Sequence, residues 1–247
     1  MQVVFLGTNG WYDTDTGNTV CTLVKSEKYH IIFDAGNGLY KVDSYCADKK
    51  PAYLFLSHFH LDHIVGLHTL NKIRCFRKLH IFGPTGSRKI LKSIINSPFS
   101  LPFSKLPFPT EIYELPKEQK KLPFSVDSKP LLHSSLTLGF RIDINGKVIS
   151  YCPDTGYCEN AVELSKNADL LIAECAYKSG QKSIKWPHLN PETAARIARE
   201  AGAKKLALVH FDANTYKTFE ERKEAERRAR KTFKNAFAAK DDMQVGA

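Results

Sequence analysis

Residues 57–63, which read SHFHLDH, place three imidazoles and one carboxylate within a short stretch of the chain. The stretch directly follows the apolar run 51–56, which is typical of a buried strand, so the cluster lies where a strand ends and a loop begins. If the extended conformation continues to residue 60, His58 and His60 point the same way, because side chains alternate along a strand. Asp62 and His63 then return toward the same point from the start of a short helix. Imidazole and carboxylate donors in this arrangement suit zinc or a similar divalent ion.

Three further candidate donors each end an apolar, strand-like run elsewhere in the chain: His133, Asp154 and His210. A polar residue in that position lies at the rim of a sheet, on the loops that commonly carry binding sites. Together with the first cluster, these residues make five histidines and two aspartates, enough for two metal ions that share one bridging carboxylate. Any one of the histidines taken singly is better explained as an ordinary loop residue, so the combination is what favours a metal centre.

The composition is that of one globular domain, since 247 residues with 43% hydrophobic content can bury a substantial core and no linker or repeat divides them. We therefore expect a single domain over residues 1–247. No apolar run approaches the roughly 20 residues that span a bilayer. Residues 1–7 resemble a first strand rather than a signal peptide. These features predict a cytoplasmic protein with no membrane partner.

The formal net charge of +10 favours polyanionic partners, nucleic acid first. Part of this excess lies in residues 220–231, which are acidic first and basic later, as suits a helix dipole and i,i+4 ion pairs. A solvated helix face is the preferred interpretation of that stretch, and a dedicated RNA-binding surface is the alternative. The six cysteines are scattered without a C-x-x-C pair, so the simplest expectation is buried thiols.

Residues 97–123 differ from the rest of the chain, because six prolines interrupt them and the aromatic side chains of Phe99, Phe103 and Phe108 lie between the prolines. Proline prevents a regular helix here, so we expect a Pro/Phe-rich loop. Its aromatic side chains must be covered by their own domain, by a substrate cleft or by a second subunit. We predict that the loop borders the metal site or a dimer interface, which leaves a homodimer open.

The motif His-x-His-x-Asp-His at residues 58–63 resembles the signature of the metallo-β-lactamase superfamily. The resemblance runs the length of the chain, and later residues narrow it to the ribonuclease Z-like phosphodiesterase branch. It implies an α/β fold, a four-layer αβ/βα sandwich of two mixed β-sheets with helices on the outer faces. Spacing alone indicates only a mixed α/β protein.

The resemblance also implies that the seven donors are divided between two divalent ions, Zn²⁺ in the first instance and Mn²⁺ as the alternative. The first ion would be bound by His58, His60 and His133, the second by Asp62, His63 and His210, and both by the bridging Asp154. Two ions about 3.5–4 Å apart can activate a water molecule as hydroxide and stabilise both the attacking and the leaving oxygen. Hydrolysis is the reaction that such a centre supports.

Two more residues match positions that distinguish the ribonuclease Z-like branch. Glu174 ends a strand-like run, and His188 lies just before the helical stretch that begins at Asn190 and Pro191. By resemblance, Glu174 orients His188, and His188 stabilises charge or protonates the leaving oxygen near the scissile phosphate. We therefore expect catalytic roles for Asp62, Glu174 and His188. The alternative for His188 alone is a surface histidine that precedes a helix.

Two departures from the transfer-RNA-processing members of the branch concern the substrate. Only residues 134–153 separate His133 from Asp154, which is room for a β-hairpin and not for the long protruding arm of those enzymes. Residues 11–18 stand where those enzymes have a loop with Lys or Arg, and here the loop is acidic and has neither. Both departures weaken the case for precursor tRNA and leave phosphodiester hydrolysis intact.

The sequence thus predicts a metal-dependent hydrolase, a ribonuclease Z-like phosphodiesterase that cleaves RNA or a small phosphodiester. The alternative is a thioester or lactone hydrolase of the same superfamily. A non-catalytic or redox member is less favoured, because redox diiron relatives usually have Glu where His60 stands and all seven donors are present here.

Overall fold

The first strand, β1 (Gln2–Gly7), shows how the sequence builds the layers of this fold. Val3 and Phe5 pack in the core between the two main sheets, whereas Val4 and Leu6 pack on the opposite face against the outer helices. Such a strand is apolar throughout, because neither of its faces meets water. The structure, a computed structural model, describes residues 1–246.

The other elements follow in chain order. The strands are β2 (Asn9–Gly10), β3 (Cys21–Lys25), β4 (His30–Phe33), β5 (Lys50–Phe55), β6 (Phe76–Pro84), β7 (Thr110–Leu115), β8 (Ser125–Pro130), β9 (Leu138–Ile144), β10 (Lys147–Cys152), β11 (Leu170–Glu174), β12 (Leu206–Val209), β13 (Phe211–Asp212), β14 (Ala236–Ala238) and β15 (Gln244–Gly246). The α-helices are α1 (Leu61–Ile64), α2 (Ser87–Ile94), α3 (Glu159–Leu164), α4 (Pro191–Glu200) and α5 (Phe219–Arg230). Short 3-10 helices cover Asn37–Ser44, Val65–Lys72, Phe103–Lys105 and Gln119–Lys121.

Two large mixed sheets form the centre of the molecule. One has seven strands in the order β15-β1-β3-β4-β5-β6-β7, and the other has six in the order β14-β12-β11-β10-β9-β8. The strands β4 to β7 run parallel to one another, as do β10, β11, β12 and β14. Separate apolar cores fill the space between the sheets and the space between each sheet and its helices. The predicted four-layer αβ/βα sandwich is therefore confirmed.

The helices begin where the sequence places capping residues. Asn190 caps α4 through a capping box with Thr193, and Pro191 occupies the first turn, as predicted. Thr218 caps α5 in the same way with Glu221. The exposed acidic and basic side chains of α5 pair with one another along the helix. None of the helices within residues 1–246 has the length and apolar character needed to cross a bilayer.

Residues 97–123 are less irregular than the prolines suggested. Residues 110–115 contain no proline and form β7, which adds to the edge of the seven-stranded sheet by pairing with β6. Phe108 is buried and Phe103 packs against the same core, whereas Phe99 is 75% exposed. The expectation of a continuous loop was wrong for the strand, and self-packing accounts for two of the three aromatic side chains.

The strand-like run that His133 was expected to end stops earlier, because β8 ends at Pro130. Pro130 pairs with Leu138 as the last pair of the β8–β9 ladder. The chain must then reverse direction, and Leu131 donates its backbone N–H to the carbonyl of Thr137 across the connection. His133 therefore lies in the loop between two strands rather than on a strand end.

Candidate metal centre

Asp34 organises the floor of the centre from the end of β4. Its carboxylate is fully buried and accepts hydrogen bonds from the backbone N–H and the hydroxyl of Ser57, at 2.7 and 2.8 Å. The same carboxylate lies 2.7 Å from Nδ1 of His63 and accepts from the Tyr151 hydroxyl at 2.7 Å. One carboxylate thus connects the ends of β4 and β5, helix α1 and the second sheet.

These hydrogen bonds fix how two imidazoles present their second nitrogen. Because Nδ1 of His63 donates to Asp34, the neutral ring carries its lone pair on Nε2. The Ser57 hydroxyl donates to Asp34 and therefore accepts from Nδ1 of His58 at 2.9 Å, which leaves a lone pair on Nε2 of His58 as well. Both lone pairs are available to a metal ion.

The strand β5 ends at Phe55 and does not continue to residue 60 as the sequence interpretation assumed. The Asp34 carboxylate takes the Ser57 N–H that a neighbouring strand would otherwise accept, so the chain leaves the sheet. The rings of His58 and His60 nevertheless lie close together, with their centroids 4.4 Å apart. Asp62 and His63 follow on the short helix α1, as predicted.

The seven predicted donors converge on this floor in two groups. Within each group, one donor atom from each residue lies within 4.8 Å of the others, and the groups are His58, His60, His133 and Asp154, and Asp62, His63 and His210. Asp154 joins them, since its Oδ1 lies 3.1 Å from Nε2 of His63 and of His210, and its Oδ2 lies 3.7 Å from Nε2 of His133.

The donor set fits divalent cations, because its atoms face one another as acceptors. Within the described part of the chain, Nε2 of His58 and Oδ1 of Asp154 are buried without a hydrogen-bond partner. Nε2 of His63 and Nε2 of His210 lie 3.2 Å apart, although His63 offers a lone pair there when neutral. Buried acceptors without donors are costly unless a cation or a proton lies between them.

The pKa values of the imidazoles reflect how closely these buried donor atoms lie together. Burial, together with the nearby His63, lowers the pKa of His58 to about 2, so that this ring stays neutral. Burial also acts to lower the pKa of His63, but the carboxylates of Asp154, Asp62 and Asp34 outweigh it and raise that pKa well above the usual value. A proton is held there by the same negative field that attracts a cation.

The segment after β1 forms one wall of the centre. The short strands β2 and β13 pair and bring Gly10 against His210, where a Cβ on Gly10 would lie 2.5 Å from Cε1 of the imidazole. Only glycine allows this approach. The backbone N–H of Trp11 donates to Oδ2 of Asp62 at 2.8 Å, and the Trp11 side chain is 68% exposed at the rim.

His188 and Glu174 form the opposite wall. Glu174 ends β11 and is fully buried, and its Oε1 lies 2.7 Å from Nδ1 of His188 and accepts from the Thr155 N–H at 2.6 Å. The His188 ring lies over the donors, with its centroid 5.2 Å from that of His133. Burial acts to lower the pKa of His188, but Glu174 outweighs it and raises that pKa to about 9.

The cleft between these walls is lined by Trp11, Tyr177, Trp186, His188 and the metal donors that face it. None of the described residues of segment 97–123 lines it, so the structure gives no support to a position of that segment beside the metal site. The other half of that prediction, a dimer interface around the exposed Phe99, stays a prediction.

Sequence reasoning missed three residues of the floor: Asp34, Ser57 and Tyr151. Asp34 ends an apolar strand, which is the same signal that identified His210. Its role as a hydrogen-bond acceptor for four groups depends on the parallel pairing of β4 with β5, which places Asp34 beside Ser57. Tyr151 reaches it from the other sheet, and no local pattern predicts that contact.

Comparison with known proteins agrees with this architecture. The family model described as "Beta-lactamase superfamily domain" matches residues 29–211. The ribonuclease Z of Pyrococcus abyssi is 26% identical over 85% of this chain and 86% of its own length. The crystal structure of the metallo-beta-lactamase fold protein YhfI from Bacillus subtilis has a TM-score of 0.80 at 24% identity and covers 99% of both chains.

The human tRNase Z, short form, has a TM-score of 0.77 at 23% identity, covering 100% of this chain and 99% of its own. At such identities the two solved structures show the fold. The predicted resemblance to the ribonuclease Z-like branch is confirmed, and the chain belongs to the beta-lactamase superfamily.

Proposed function

We propose that this protein is a metal-dependent phosphodiesterase of the ribonuclease Z-like kind, acting on RNA or on a smaller phosphodiester. The observation that carries the proposal is the His188–Glu174 pair, with 2.7 Å between Nδ1 and Oε1, beside the cluster of seven donors. A thioester or lactone hydrolase needs no protonated imidazole at this place, whereas a phosphodiester with a poor leaving group does.

We propose that the two groups of donors bind two divalent ions, Zn²⁺ or alternatively Mn²⁺, with Asp154 between them. Such ions supply Lewis acidity toward a phosphoryl oxygen and lower the pKa of water when they are bound. The chain contributes the orientation of its ligands. Asp34 and Ser57 hold the rings of His63 and His58, and the Trp11 N–H holds Asp62.

His188 is the proposed general acid. Its Nδ1 is engaged by Glu174, which leaves Nε2–H for the leaving oxygen of the substrate. With a pKa of about 9, the imidazole carries this proton at neutral pH. Glu174 is the proposed positioning residue, because the backbone N–H groups of Thr155 and Ala176 hold its carboxylate in place.

The rim of the cleft favours a nucleic acid over a small phosphodiester. Trp11 and Trp186 stand on opposite walls with their side chains 68% and 55% exposed, and exposed aromatic rings are stacking surfaces for unpaired bases. Lys182 and Lys185 are exposed on the segment that carries His188, where they can meet backbone phosphates. Residues 11–18 contain no Lys or Arg, so these two lysines supply the positive charge on the wall that carries His188.

The proposal is tested with metal-loaded protein on bis(p-nitrophenyl) phosphate, an RNA with a 3′ extension, cyclic nucleotides, a thioester and a lactone. We expect turnover of the phosphodiesters and little of the carbonyl substrates. A preference for the thioester or the lactone would overturn the assignment.

The choice of RNA is tested by the double variant K182A/K185A, with K120A/K121A as a control that removes the same charge from exposed lysines outside the cleft. We expect the first variant to lower kcat/KM on RNA by about 10-fold at low salt and to reduce its salt dependence. Turnover of bis(p-nitrophenyl) phosphate should stay unchanged. Equal effects of both variants on RNA would reflect net charge alone and would contradict a binding role of this wall.

A further inference from the structure

A second cluster of metal-ligating side chains lies at the amino-terminal edge of the parallel strands β4, β5 and β6. His30 is the first residue of β4, Cys46 follows the 3-10 helix Asn37–Ser44, and Cys75 directly precedes β6. All three are buried, and one donor atom from each lies within 4.8 Å of the others. None of the three residues lines the cleft.

The hydrogen bonds of His30 orient its ring for ligation. Its Nε2 lies 3.0 Å from the carbonyl oxygen of Asp48, and a carbonyl can only accept, so Nε2 carries the hydrogen. The lone pair of the neutral ring is then on Nδ1, which points at Sγ of Cys46 from 3.5 Å. Metal-binding histidines typically donate their second N–H to such an oxygen, which fixes the tautomer and the ring orientation.

The surrounding backbone fixes the position of the second sulfur. The carboxylate of Asp43 accepts from the backbone N–H of Cys75 at 3.0 Å and from that of Arg74 at 2.8 Å. This ties the start of β6 to the helix Asn37–Ser44, after which Cys46 follows. The two thiols are thus brought together by the fold, although they are far apart in sequence and form no C-x-x-C pair.

We propose that His30, Cys46 and Cys75 form a second metal site, separate from the catalytic centre, that binds one Zn²⁺. Two thiolates and one imidazole are soft and borderline donors, which zinc accepts and which magnesium and calcium do not. Asp43, whose carboxylate already contacts the Cys75 backbone, is the candidate for the fourth donor. Binding forms two Zn–S bonds, and each thiol loses its proton to water, so the two thiolates balance the charge of the ion.

The location indicates a structural role. The cluster lies at the starts of β4 and β5, whereas Asp34 and His58 follow their ends. His30 pairs with Ala52, which lies six residues before His58, so at about 3.3 Å per residue the two sites are roughly 20 Å apart. A zinc ion here would join the start of β4, the segment after the helix Asn37–Ser44 and the start of β6, and would add to the link that Asp43 already makes.

The test is titration of the reduced, full-length protein with Co²⁺. Thiolate ligands give Co²⁺ a near-ultraviolet charge-transfer band, and the cluster of imidazoles and carboxylates contains no sulfur donor. We expect the band to be complete by about three Co²⁺ per chain, two for the catalytic centre and one for the thiol cluster, and to be displaced by Zn²⁺. It should be lost in Cys46→Ser and in Cys75→Ser and kept in Cys158→Ser, a matched control at a partly exposed cysteine.

A reduced, folded wild-type protein without the band would overturn the proposal, and so would a band that survives in both cysteine variants. Alkylation of the wild type serves as the second measurement, in case a variant does not fold. Zinc should protect Cys46 and Cys75 from alkylation, and a chelator should remove that protection, as read by peptide mass. Equal labelling with and without zinc, or a disulfide that links the two residues in protein purified under reducing conditions, would overturn it as well.

Discussion

Buried donor atoms are placed in two different ways at the two ends of β4 and β5. At the carboxyl-terminal end, imidazole and carboxylate groups meet in a cleft that a substrate can enter. At the amino-terminal end, one imidazole and two thiols meet in the core. In both places an oxygen acceptor holds the outer nitrogen of an imidazole, the Asp34 carboxylate for His63 and the Asp48 carbonyl for His30. The two sites differ in the class of donor and in whether a substrate can reach them.

The carboxyl-terminal site therefore suits catalysis, and the amino-terminal site suits stabilisation of the fold. The carboxylates around His63 create a strongly negative site that lies beside a protonated imidazole, which suits the handling of a phosphate. The residues of the thiol cluster are buried, and none of them lines the cleft. Loss of a donor at the first end should therefore abolish turnover, and loss of a donor at the second should mainly affect folding.

The largest effect is expected from Asp154→Ala. This change removes the one carboxylate that lies between the two groups of donors, so we expect the loss of at least one metal equivalent and a fall in turnover of more than about 10⁴-fold. Metal analysis and turnover of bis(p-nitrophenyl) phosphate on the same sample provide the measurement. Asp169→Ala, at a buried carboxylate that precedes β11, is the control. Unchanged metal content would remove Asp154 from the bridge.

The sequence could predict the first end because its signal is local. Residues 58–63 carry four donors in one motif, and the remaining donors follow apolar runs that are visible without a structure. The layers were predictable for the same reason, since β1 and β12 are apolar on both faces. What could not be predicted depends on register: Asp34 meets Ser57, and Cys46 meets Cys75, only because β4, β5 and β6 pair in parallel.

The second-largest effect is expected from His188→Ala, which leaves all seven donors in place. We expect turnover of an RNA linkage to fall by roughly 10²–10⁴-fold, the usual contribution of a positioned general acid. The loss should be smaller on bis(p-nitrophenyl) phosphate, because p-nitrophenolate leaves without protonation. Metal content and the folded circular dichroism spectrum should be unchanged. Equal losses on both substrates would indicate charge stabilisation without proton donation, and lost metal would identify His188 as a ligand.

A smaller, pH-dependent effect is expected from Glu174→Gln. The pKa of His188 is raised to about 9 by Glu174, so the acid form persists at neutral pH and activity is lost as the pH rises through that value. Without the carboxylate, the pKa falls toward the usual value of about 6.5 for histidine, and the loss should begin at lower pH. We expect about a 10-fold reduction in kcat/KM on RNA near pH 8 and little change near pH 6. An alkaline limb at the same pH in both proteins would contradict a positioning role for Glu174.

The smallest effect on turnover is expected at the other end of the strands, from Cys75→Ser. With zinc saturating the catalytic centre, turnover should stay within about twofold of the wild type, because roughly 20 Å of strand separates this residue from the cleft. Stability should change instead, since a ligand present at about 100 times its Kd stabilises the folded state by about 2.7 kcal/mol. For a domain of this size, that corresponds to a Tm lower by roughly 5–10 °C in the variant.

The measurement is the zinc dependence of Tm in Cys75→Ser against Cys158→Ser, in which the catalytic centre contributes equally. An identical zinc response in the two variants would mean that the thiol cluster adds no stability. If turnover instead fell by about 10-fold or more while Tm stayed unchanged, the two ends would be coupled through the strands they share.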